Sequence, residues 1–192
     1  MIPTLRSTPL CIGVVCVLGT AVIGGLAWWY APPGVDQAQA QAVQPVIDAY
    51  MHQNGRQLDF GGLMDPRLKP GVFCVATIIE IRTRGPHWRV GMKLGCGEYA
   101  RRGSILLEAF QGGDFDVIAD VMTSGHGGRL RVLSLDLGPD AYPGYPAWVH
   151  ENYSSRAARW LLSDDSPIAP DPIGQARRAF GFPADYPAVQ DW

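Results

Sequence analysis

The sequence predicts an α+β domain behind an N-terminal membrane segment, and three observations carry that prediction. Leu10 to Ala31 is a run of 22 residues without a charge. Val43, Val46, Ile47, Tyr50 and Met51 recur at helical spacing. Between Val72 and Leu137, successive stretches alternate apolar and polar side chains, as half-buried strands do. The predicted order is a transmembrane helix, one helix packed on an antiparallel sheet of four to five strands, then C-terminal helices.

The first run is long enough to span a bilayer. A helix of that length rises about 33 Å against a hydrocarbon core of about 30 Å. It is apolar all round, and Trp28, Trp29 and Tyr30 close it as an interfacial belt. Arg6 and the amino terminus are its only flanking positive charges before Arg56, so the positive-inside bias puts residues 1–9 in the cytoplasm and everything after Pro32 outside. The competing expectation is a cleaved signal peptide, with small residues at Gly25-Leu26-Ala27 or Ala38-Gln39-Ala40, which gives a secreted product. The remaining chain is long enough for one domain with its own core. It holds all 18 acidic residues and all but one of the 16 Lys and Arg, a balance that does not suggest a nucleic-acid partner.

Pro32-Pro33-Gly34 breaks the membrane helix, and residues 32–42 read as a stalk. The helix from Val43 ends at Asn54-Gly55, with Pro45 either kinking it or lying in its first turn. Residues 56–71 carry three turn signals. A strand over Val72–Arg82, the turn Thr83–His87 and a second alternating run from Trp88 to Cys96 form a hairpin; Arg89, Gly91, Lys93 and Gly95 take the opposite face of its second strand. A third strand is expected over Ser104–Phe110 and a fourth over Asp114–Val121, with Asp114, Asp116 and Asp120 on a solvated face. Arg129 and Arg131 of a fifth strand are expected to pair with that acidic face. After Pro146 one helix carries Val149, Tyr153, Ala157, Trp160 and Leu161. A last helix is capped by Asp171, opened by Pro172 and stopped by Gly181. The extracytoplasmic domain is thus residues 43–166, followed by a proline- and aromatic-rich tail, 167–192, that covers a sheet edge or receives a partner.

Cys74 and Cys96 lie at equal distances from Gly85, so the hairpin brings them opposite each other, and an oxidising exterior joins them. No catalytic, cofactor or metal residue is assigned. His126-Gly127-Gly128 has no Gly-x-Ser-x-Gly partner, the position four after His150 is Ser154, and His52, His87, His126 and His150 show no ligand spacing. Arg82, Arg84, His87 and Arg89 cluster at the hairpin tip, where an acidic partner or lipid headgroups can dock.

A helix across an antiparallel sheet behind a membrane tether resembles the cystatin-like extracytoplasmic domains of bacterial membrane proteins, including assembly factors of secretion and conjugation machines. The resemblance covers the order of elements over residues 36–137, without a sequence motif. The tether, the absence of a catalytic constellation and the aromatic- and proline-rich tail point to a non-enzymatic interaction module whose sheet, hairpin tip or tail binds another envelope protein. Two alternatives are a lipid or small-molecule carrier with a pocket lined by Phe73, Ile79, Trp88 and Trp148, and an enzyme assembled from distant groups such as His126 with Asp120 or Glu108.

Overall fold

The computed structural model describes residues 33–55, 62–109, 113–124, 128–139, 143–166 and 168–190. The Leu10–Ala31 run lies outside them, and among the described residues no helix is long and apolar enough to cross a membrane. Helix α1 (Gln37–Asn54) starts where Asp36 accepts a hydrogen bond from the Gln39 amide at 3.0 Å. The segment expected as a stalk therefore supplies the first turns of α1, because Asp36 is a better N-cap than any residue before Val43. Pro45 falls in the helix interior rather than its first turn. Val43, Ile47 and Met51 are buried.

The strands are β1 (Gly71–Arg84), β2 (His87–Arg102), β3 (Ile105–Glu108), β4 (Gly113–Ser124), β5 (Arg129–Leu137) and β6 (Ala188–Gln190), in one six-stranded sheet. The α+β class stands, with one strand more than expected. β1 and β2 form the long first hairpin, from Gly71↔Tyr99 to Arg84↔His87. Along its other edge β2 pairs first with β4, over His87–Cys96, and then with β3, over Tyr99–Arg102. β5 extends the sheet beyond β4. The tail contributes β6, parallel to β3, so it covers a sheet edge.

Helix α1 lies on one face, where Cys74, Ala76, Val90, Met92, Leu94, Cys96, Val117, Ala119 and Val121 meet its apolar stripe. Helices α2 (Gly144–Asn152) and α3 (Ser155–Leu161) cover Ile79 and Ile118 on the other face. Further along that face, α4 (Ile173–Phe180) packs its Ala176 against Tyr99 and Leu106. The single helix expected after Pro146 is two, because Ser154 caps α3 through the Ala157 amide and the Ser154 amide itself donates to Glu80. A bulge at Ile79 in β1 places both Ile79 and Glu80 under these helices.

The second layer rests directly on backbone. A Cβ at Gly91 would lie 2.4 Å from the Tyr153 ring, and one at Gly95 would lie 2.1 Å from the Pro170 carbonyl. Tyr153 is seated over Gly91 by donating toward the carbonyls of Met92 and Val117, at 3.2 and 3.1 Å. Burial pushes its hydroxyl far above the ordinary tyrosine range, and the nearby Asp116 charge adds to this.

The acidic row of β4 is not uniformly solvated. Asp114 and Asp120 are exposed, but Asp116 is buried beneath α2, where it accepts a hydrogen bond from Tyr145. The Lys93 ammonium lies 3.4 Å from both Asp114 and Asp116. Arg129 and Arg131 do not meet these carboxylates, because the register sets them opposite Ser124 and Met122.

Candidate functional site

Alternation along the strands decides which side chains meet at the end of the first hairpin. The pairs Arg82↔Arg89 and Arg84↔His87 put all four basic residues on the α2–α3 face, as expected, around a cavity of about 360 Å³ that also takes in Trp88 and Asp120. The turn between β1 and β2 is fixed by Gly85, whose φ of +59° suits glycine. The Thr123 amide donates to the Pro86 carbonyl at 2.9 Å, so this turn and the end of β4 lie side by side.

Two of the four basic residues have internal partners. Arg82 lies 3.1 Å from Glu80 and donates to the Asn152 carbonyl, and Arg89 donates to the Asn152 side chain. Both place positive charge at the C-terminal end of α2, where the helix dipole favours it. Arg84 and His87 are exposed, and among the described residues their side chains make no ion pair or hydrogen bond.

The register adds two residues that sequence reasoning assigned elsewhere. Arg131 lies opposite Met122, which itself lies opposite His87, and Arg129 lies opposite Ser124. Both are exposed. One row across four strands therefore reads Arg84, His87, Met122, Arg131, on one face and at one end of the sheet. The signal was present as the Arg-x-Arg spacing at the start of β5, which mirrors Arg82 and Arg84 at the end of β1.

The expected disulfide is present: Cys74 and Cys96 are register partners with their sulfurs at bonding distance, buried beneath α1. The four residues expected to line a pocket fall into separate packing clusters. Phe73 packs edge-on against Tyr99 and Phe180, Ile79 and Trp148 lie beneath α2 and α3, and Trp88 belongs to the α1 face. The sheet itself separates Trp88 from the others, so no single cavity collects them.

For the enzyme alternative, His126 lies outside the described residues, and Asp120 and Glu108 are set far apart. Asp120 pairs with Arg89 and Glu108 with Tyr99, ten residues along β2, or roughly 34 Å. Glu108 accepts from the Tyr99 hydroxyl at 2.9 Å. Burial pushes that hydroxyl well up, with Glu108 and Asp171 adding to the effect. Among the described residues no cluster of three metal-ligating side chains occurs.

Compared with known proteins, the chain matches no family model, no curated protein and no solved structure.

Proposed function

We propose that this chain is a non-enzymatic, membrane-anchored extracytoplasmic interaction module that engages an anionic partner in the cell envelope through the basic end of its sheet. The observation that carries the reading is the row Arg84, His87, Arg131, joined by Arg129 on the same face. Three surfaces come into question from the sequence. Both sheet faces carry helices and the tail is used as β6, which favours the hairpin tip. The anchor is the Leu10–Ala31 run, and the bilayer dimensions that favour it are those of any single span.

The test is a photo-crosslinking residue at Thr83 or Asp185 in the full chain, in native membranes. A reproducible adduct from Thr83, absent from Asp185 and abolished by R84E with R131E, is expected. Recovery from both positions of monomer alone, carrying neither a protein nor a lipid adduct by mass, overturns the reading.

A further inference from the structure

We infer that the basic end of the sheet docks on anionic lipid headgroups of the bilayer that carries the anchor. This rests on the anchored-module reading and names the chemistry of its partner. The charge distribution is one support. Arg82, Arg84, Arg89, Arg129, Arg131 and His87 gather at one end of one face. Of the acidic residues described near this end, Glu80 is buried against Arg82, Asp120 lies opposite Arg89, and Glu151 is exposed one residue before Asn152. At the far end of the same face Glu108, Asp114 and Asp171 line a second cavity, of about 210 Å³. Arginine's planar guanidinium also carries five N–H donors to spread among phosphates, which suits a headgroup layer.

The direction in which the chain arrives is the other support. Gly55 abuts Val72, and the Gln44 side chain donates to the Ala76 carbonyl at 3.4 Å, so α1 runs antiparallel to β1 and its first residue points toward the hairpin tip. From Gln44 back to Gln37 the helix covers about 10 Å, whereas from Ala76 on to Arg84 the strand covers about 27 Å. The tip therefore projects about 17 Å beyond the start of α1, and more if the helix crosses the strand obliquely. Between Ala31 and Gln37 stand five residues, which extend to about 20 Å at most. The reach of the tip and the reach of the tether are alike, which is the length match that docking of Arg84, His87 and Arg131 on headgroups requires. The charge that does this is sequence-neutral and surface-seeking, as juxtamembrane basic clusters are.

The full chain, carrying C11S and C16S and a fluorophore on either T83C or D185C, is reconstituted into nanodiscs of phosphatidylcholine with or without phosphatidylglycerol. Lipids with a quencher on the headgroup report proximity. Quenching at T83C that requires phosphatidylglycerol, is weakened by salt and is absent at D185C is expected. Removing two charges with R84Q and R131Q should lower the docked-to-free ratio about 30-fold. Among the described residues these two exposed side chains make no ion pair or hydrogen bond, so the variants should leave the fold in place, which circular dichroism checks. Equal quenching without phosphatidylglycerol, or none with it, overturns the inference. A charge-dependent protein adduct from Thr83 without quenching in the anionic discs also overturns it, while leaving the interaction-module reading intact.

Discussion

Glu98 is 1% exposed and has no cationic partner among the described residues; its carboxylate accepts from the amides of Gly62, Leu63 and Met64, at 3.0, 2.8 and 3.0 Å. Three donors to one charged acceptor make this the anchor of the loop before β1, and Glu98→Ala leaves all three amides without it. The expected loss is about 3 kcal/mol of unfolding free energy, read from urea denaturation. Tyr153 gives a pH dependence whose sign follows from its raised pKa. The folded state holds the proton more tightly than the unfolded state, so its contribution is intact below about pH 10 and falls as the pH climbs beyond that. A thermal-melting series up the alkaline range should decline less steeply for Tyr153→Phe than for the native chain. At this scale the sequence was legible where two residues answer to one turn, as Cys74 and Cys96 do about Gly85. It was not legible for Lys93 and Asp116, since alternation tells which face a charge lies on and not whether a later helix will cover that face.

Among the elements, the glycines of β2 carry the lesson. Gly91 and Gly95 were assigned correctly to the face opposite the α1 core, yet nothing local showed what would lie upon them. That came from Tyr153 and Pro170, some 60 to 75 residues later in the chain. Gly91→Ala forces a methyl into the Tyr153 ring and should cost about 1–3 kcal/mol. Gly174, near the start of α4, offers the contrast: a Cβ there meets only the Arg178 guanidinium at 3.8 Å, so Gly174→Ala should gain about 0.5–1 kcal/mol. The same denaturation measurement separates the two. The start of α1, expected at Val43, and the single helix expected after Pro146 differ from the structure for a shared reason. In both, a polar cap fixed the boundary: Asp36 began α1 early, and Ser154 with Glu80 divided α2 from α3.

The described residues form a sheet between two helical layers, with the hairpin disulfide on the α1 face. The 22-residue separation of Cys74 and Cys96 gives a loop whose closure should contribute about 3 kcal/mol by chain entropy. Reduction is therefore expected to lower the melting temperature without abolishing the sheet, and non-reducing peptide mapping should recover the crosslinked pair. The helix-on-sheet order and the α1 core could be derived from period alone. The three-layer arrangement could not, because strand order depends on pairings across tens of residues. The basic end was half visible for the same reason: Arg82, Arg84, His87 and Arg89 share a hairpin, while Arg129 and Arg131 join them only through the β4–β5 register.

β2 borders β1 along one edge and β4 and β3 in turn along the other, so its amides have the fewest ways to meet water. Fraying of β5 or β6 exposes neither edge of it. Deuterium uptake should therefore be slowest over Met92–Cys96, limited there by global unfolding, while the β5 and β6 peptides exchange through local opening. Such a hierarchy gives the basic end room to adjust to what it touches while the centre of the sheet keeps its register.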